Sequence, residues 1–200
     1  ELEPKERERV RQALFWQGFG VLGSDCFVHP SADLTAAFDA LVAEGLGDQL
    51  DRLMPLLAAD SRSGLSANDA DLVRRAWNLE ALAEAYSGFV AAYLPILAEL
   101  RRDRQAEVDA ESAFLLRTLL IHDYRRLLLR DPELPEVLLP ADWPGQKARL
   151  LCKELYRRLI VPSEHHLDQL LQLADGAVPE ADPMLVERFP TDDPLASMAL

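Results

Sequence analysis

The stretch AESAFLLRTLLIHDYRRLLLR, residues 110–130, places leucine at 115, 116, 119, 120, 127, 128 and 129 with no glycine or proline to break it. Apolar positions that wrap so far around a 3.6-residue period predict a long, central helix buried on most sides. Arg117, His122, Tyr124 and Arg125 interrupt that surface. Buried polar groups must find partners, so these four either knit a core together or face a cavity. The spacing leaves both readings open.

Outward from this helix the pattern stays helical. Asp131-Pro132 reads as an N-cap followed by a first-turn proline, opening a short helix that Pro140 ends. Asp142 then caps a last long helix running to residue 171. From Gly176 onward Pro179, Pro183, Pro190 and Pro194 predict an extended tail. Upstream, residues 69–82 and 79–102 carry Trp77, Leu82, Tyr86, Phe89, Tyr93 and Leu97 at steps of three to five. Pro95 is expected to kink or end the second of these helices. Residues 60–68 (DSRSGLSAN) form a polar linker with a turn signal at Ser63-Gly64.

The first sixty residues mix the two periods. Residues 4–17 predict a helix, with Pro4 suited to its first turn and Val10, Leu14 and Phe15 on its apolar side. Residues 20–28 predict two short strands around a Gly23-Ser24-Asp25 turn. Ser31 or Asp33 caps a second helix reaching Glu44, and residues 51–58 are apolar enough for a closing strand, confined by Pro55 to a sheet edge. Helix, hairpin, helix, strand is the order of a ferredoxin-like unit whose first strand is missing. The expected fold class is therefore α+β: a ferredoxin-like middle domain over residues 1–62, an all-α helical domain over 63–178 and an extended tail over 179–200.

Composition narrows the function. The formal charge is −13, and a polyanion repels DNA, whose affinity for proteins comes mainly from Lys and Arg on phosphates. Cys26 and Cys152 stand far apart in apolar surroundings and read as buried free thiols of a reducing compartment. No apolar run approaches the roughly 18 residues of a membrane span, and no signal peptide is visible. Glu1 is not an initiator methionine, so the chain is expected to start inside a longer, cytoplasmic gene product.

The basic residues are not spread evenly. Residues 113–158 hold nine basic and six acidic side chains, a balance of +3 that leaves −16 for the rest of the chain. A positive island in so acidic a protein focuses an anionic ligand, although a solvated, salt-bridged face has the same composition. Arg149, Lys153 and Arg157 share one face of the last helix at i, i+4 and i+8. Adjacent His165 and His166 point to different sides of a helix, which argues against a metal site. Gly-rich phosphate loops and a G-x-S-x-G elbow are missing from the sequence, so no catalytic constellation and no cofactor are expected.

Three segments look like a known family. LFWQGFGVL (14–22), RAWNLEALAEAYSGFVAAYLPIL (75–97) and FLLRTLLIHDYRRLLLRDPELPEVLLPADWPGQKARLLCKELYRRL (114–159) resemble the PaaX family, repressors of phenylacetic acid catabolic operons. The resemblance is weakest at residues 50–68 and over the last twenty. It implies a protein with a winged helix-turn-helix, a ferredoxin-like middle domain and a helical C-terminal domain, of which this chain lacks the first. It further implies a homodimer that binds operator DNA through that absent head and releases it when phenylacetyl-CoA binds. Phosphates of such an effector need Arg and Lys donors, and its phenyl group needs an apolar, aromatic-lined slot. The residues expected to supply them are Arg117, His122, Tyr124, Arg125, Trp143, Lys147, Arg149, Lys153 and Arg157, with Trp77 and Tyr86 as further aromatics. Alternatives are a dimerisation scaffold without its own ligand site, a sensor of another acyl-CoA and, last, an acyl-CoA enzyme.

Overall fold

In the computed structural model, which describes residues 2–57, 69–102, 108–171, 176 and 184, helices carry the architecture and the only strands among the described residues are two dipeptides. The order is α1 (Pro4–Phe15), β1 (Gly20–Val21), β2 (Phe27–Val28), α2 (Leu34–Ala43), a 3₁₀ turn (Gly47–Arg52), α3 (Asp69–Ala76), α4 (Leu79–Arg102), α5 (Ala110–Leu128), a second 3₁₀ turn (Glu136–Leu138) and α6 (Gly145–Leu170). The chain forms two compact units. One draws on Glu1–Glu80 and Leu129–Ala141, the other on Ala81–Leu128 and Asp142–Leu200.

In the first unit, α1 starts in a capping box: the Glu3 and Glu6 side chains reciprocally accept from backbone N–H groups at each other's position, and Pro4 occupies the first turn. Asp33 caps α2 by accepting from Thr35 N at 2.8 Å and Ala36 N at 3.3 Å. Val10 and Leu14 of α1 pack with Ala37 and Leu41 of α2, Phe19 and Leu46. Arg9 donates to the Glu44 carbonyl at 2.8 Å, satisfying a helix-end acceptor of α2 from α1. The hairpin pairs Gly20 with Val28 and Val21 with Phe27, antiparallel, and Gly23 takes φ +84° in its loop.

The ferredoxin-like expectation is not met. Residues 47–52 form a 3₁₀ turn, and 53–57 join no ladder; Met54, Leu56 and Leu57 are apolar yet exposed. The hairpin remains a two-stranded sheet, and α1 and α2 bury apolar residues against each other. The unit is therefore mainly helical, and the α+β class gives way to an all-α architecture with one short hairpin. The short helix expected after Asp131-Pro132 also fails to form. Asp131 Oδ1 does accept from Glu133 N at 2.9 Å, but Glu133 turns into the left-handed region at φ +51°, which stops propagation. The linker 60–68 and the tail from 179 fall almost wholly outside the described residues.

The second unit is built from α4, α5 and α6. Buried positions on α5 are Ala113, Arg117, Leu120, Tyr124 and Leu127, spaced four and three. Leu115, Leu119 and Leu128 are exposed, so α5 buries one face and is not wrapped on all sides. Opposite it α6 presents Ala148, Leu151, Cys152, Leu155, Tyr156 and Leu159 to the same core. Pro95 neither ends nor shortens α4, which continues to Arg102 with Tyr93 and Leu97 buried on either side of it. Helix α4 has the length and apolar content of a membrane span, contrary to expectation; 33% of its most apolar stretch is buried, and Leu82, Tyr86, Phe89, Val90, Tyr93 and Leu97 pack in the core. The cap of α6 is Pro144, not Asp142. Cys152 is buried as expected; Cys26, in the hairpin loop, is exposed.

Two stability predictions follow from the hairpin. Gly20 lies so close to the Trp77 indole that an added Cβ would stand 2.6 Å from its Cε2. Gly20→Ala should therefore cost about 1–3 kcal/mol in denaturant unfolding, and an unchanged midpoint would contradict this packing. His29 Nδ1 accepts from Ser31 N at 3.1 Å, and burial holds the imidazole pKa below its ordinary 6.5. Its neutral form is the one favoured by folding, so its contribution is complete above pH 6.5. It is lost as pH falls from there through the lower folded value. Between pH 7 and 5.5, unfolding midpoints should drop more for the parent than for His29→Gln.

Candidate functional site

Two places combine cations with aromatic rings, one in each unit. In the helical unit the aromatic part is a continuous cluster within the core. Tyr86 meets Trp143 edge-on with centroids 5.8 Å apart, and Phe89 contacts Tyr93 at 4.7 Å and Tyr124 at 5.6 Å. Tyr86, Phe89, Tyr93 and Tyr124 are buried; Trp143 is half-buried at the edge. Tyr93 donates its hydroxyl to Asp123 Oδ2 at 2.8 Å. Burial, reinforced by that carboxylate, raises the phenol well above the ordinary tyrosine range, so it remains a donor.

The expected ligand residues divide by environment. Arg117, on the buried face of α5, is 9% exposed and forms an ion pair with Glu164 of α6. Lys153 is buried on α6 at 4%, between its exposed neighbours one turn away on either side, Arg149 and Arg157. The i, i+4, i+8 row is therefore not a uniform solvated face. His122, Arg125 and Lys147 are exposed. The fold thus gathers Tyr124, Trp143 and Lys153 into or against one core and leaves five of the cationic or titratable candidates at the surface. Arg158 and Arg101 share Glu154, whose carboxyl they hold below its ordinary range, Arg101 most strongly.

The other place was not read from the sequence except for its tryptophan. In the first unit Val21 and the run Arg74–Glu80 line a half-open groove of about 450 Å³. Trp77 is held there by its indole N–H, which donates to the Gly18 carbonyl at 2.9 Å. Arg74 and Arg75, the last-turn cations of α3, are exposed, and Arg74 pairs with Asp71 at 2.5 Å. The motif Arg-Arg-x-Trp was visible at 74–77, but its partner Val21 lies more than fifty residues away and only the fold unites them. Among the described residues no cluster of His, Cys, Asp and Glu is arranged to hold a metal.

Residues 77–169 match the family described as the PaaX-like protein C-terminal domain. The chain is also similar to the transcriptional repressor PaaX of Escherichia coli (strain K12), with 34% identity over 183 residues. That alignment covers 90% of this chain and 56% of the repressor, so the chain spans little more than half the length of that curated relative.

The Arg117–Glu164 pair gives a direct test of what holds the two helices in register. Arg117→Met leaves Glu164 in a half-buried site without its cation and should cost about 2 kcal/mol or more in denaturant unfolding. The double change Arg117→Met with Glu164→Leu should recover most of that loss. Equal destabilisation of the single and double variants would show that the pair itself contributes little.

Proposed function

We propose, from the premise that this chain carries a PaaX-like C-terminal domain, that it is the effector-sensing and subunit-pairing part of a transcriptional repressor of phenylacetate degradation. The observation that carries this reading is the 34% identity to a repressor over 90% of the chain. That relation is to a regulator. A repressor acts where the genome is, in the cytoplasm of a bacterium. The net charge of −13 agrees with a division of labour in which operator DNA is gripped by another part of the parent protein.

The effector in this reading is phenylacetyl-CoA, and the pairing is a homodimer. Arg149 and Arg157 are exposed along α6, Arg125 and Lys147 add to the same positive stretch, and Trp143 stands at the edge of an aromatic core against the buried Tyr86. Arg117 is a poorer ligand group than the sequence implies, because an incoming phosphate must compete with Glu164 for it. Lys153 brings charge into the helical core beside Cys152. Release of DNA requires the thioester to bind one arrangement of the dimer more tightly than the other; equal affinity for both shifts nothing. The helical domain invoked here is residues 63–178.

Thermal unfolding in the presence of phenylacetyl-CoA, phenylacetate or CoA tests the reading. Ligand at about 100 times its dissociation constant adds roughly 2.7 kcal/mol, so the thioester should raise the midpoint by several degrees more than phenylacetate or CoA does. No shift with any of the three would leave a dimerisation scaffold as the better account, and hydrolysis of the thioester during the scan would point to an enzyme. Arg149→Glu with Arg157→Glu, both at exposed positions, should weaken thioester binding; unchanged affinity would remove this face from the site.

A further inference from the structure

We infer that the groove beside Trp77 is a binding site for a flat ring that carries an anionic group, separate from the cations of the helical unit. The argument starts from size: about 450 Å³ falls within the usual range of small-ligand pockets and exceeds what a stray ion would need. Its lining then sets the chemistry. Arg74 and Arg75 put two guanidinium groups at consecutive positions of the rim, and no described residue pairs with Arg75. Guanidinium forks match carboxylate and phosphate oxygens in a bidentate way, and they also stack on planar rings. Trp77 supplies a large aromatic wall, with Val21 and Leu79 as apolar neighbours.

The wall is pre-set, which is what distinguishes this groove from a surface dimple. The indole cannot swing freely, because its N–H is bonded to the Gly18 carbonyl. Gly18 itself takes φ +83°, and Gly20 has no Cβ, which lets the hairpin close on one side of the ring. A ligand that stacks there does not have to freeze the tryptophan first, so less ordering entropy opposes binding. Glu80 lines the same groove and opposes anions that reach its end. The anionic group is therefore expected on the Arg74–Arg75 side, with the ring against Trp77 and the charge a few bonds away.

Such chemistry has two natural sources, a purine nucleotide and an arylacetate. The cations differ from those of the proposed effector site, and Trp77 is the one aromatic that both readings use. The experiment is a titration of the full chain followed by the indole N–H resonances in ¹H–¹⁵N correlation spectra. The three tryptophans give three such signals, and Trp77→Phe identifies the relevant one. Probes are adenosine 3′,5′-bisphosphate, phenylacetate and inorganic phosphate. The expected result is a saturable shift of the Trp77 signal with the first, the second or both, weakened about tenfold in Arg75→Ala, an exposed change that spares the fold. Which probe binds names the source. The inference is overturned if no probe moves the signal, if inorganic phosphate alone acts as strongly as the ring-bearing probes, or if Arg74→Ala and Arg75→Ala both leave the affinity unchanged. Should the thioester stabilise the chain while Arg74→Ala and Arg75→Ala change nothing, the groove fails and the effector reading stands; binding in the groove without any thioester effect is the converse.

Discussion

The helical unit depends on the seam between α5 and α6. Ala113, Leu120, Tyr124 and Leu127 on one helix and Ala148, Leu151, Leu155, Tyr156 and Leu159 on the other are buried in one cluster. Ala113, Ala148 and Ser163 are among the least exposed residues, and their small side chains let the backbones approach. Each fully buried leucine contributes roughly 1.5–3 kcal/mol. That is enough to decide contests which local propensity alone would lose. Pro162 costs a helix interior about 3 kcal/mol, yet α6 runs through it because Leu159 and Ser163 on either side are anchored in the seam. Pro95 in α4, between buried Tyr93 and Leu97, is tolerated for the same reason.

The seam is not purely apolar, and its polar members constrain any ligand. A buried guanidinium without a counter-ion is costly, so Arg117 is stable where it sits because Glu164 meets it across the seam. That partnership already occupies the group that an effector phosphate would seek. Tyr93 and Asp123 settle each other in the same manner between α4 and α5. Arg149 and Arg157 stay exposed on α6, where any attraction for an anion is screened by salt and needs an added local contact to be specific.

Helix existence was legible in the sequence because it depends on a local period, and the α1, α2, α4, α5 and α6 positions were all foreseeable from it. The hairpin was legible too, from Gly23 and the apolar pairs around it. What could not be read was anything set by a distant partner. The segment 51–57 has strand-like composition, but a strand exists only if another offers a ladder, and none does among the described residues. Leucines at 115, 119 and 128 have the same chemistry as those at 120 and 127, and only packing against α6 separates exposed from buried. For the candidate site the cationic residue types were visible, but not that Arg117 would be paired and Lys153 buried while their neighbours stayed at the surface.

The stretch matched to the PaaX-like C-terminal family begins at Trp77, and this has a structural consequence. Trp77 through Glu80 and residues 129–141 lie inside that match, yet both fold with the first compact unit. Trp77 is seated by Gly18, and Gly20 lies against its ring, so the first residue of the matched stretch takes its environment from a hairpin outside it. A piece cut at residue 77 would leave the indole N–H without its acceptor and the ring without the glycine that covers it. Sequence similarity therefore marks where the shared pattern starts, while the physical unit that presents Trp77 to a ligand reaches back to the hairpin. The groove, with its arginines on α3 and its wall on Trp77, belongs to that larger unit.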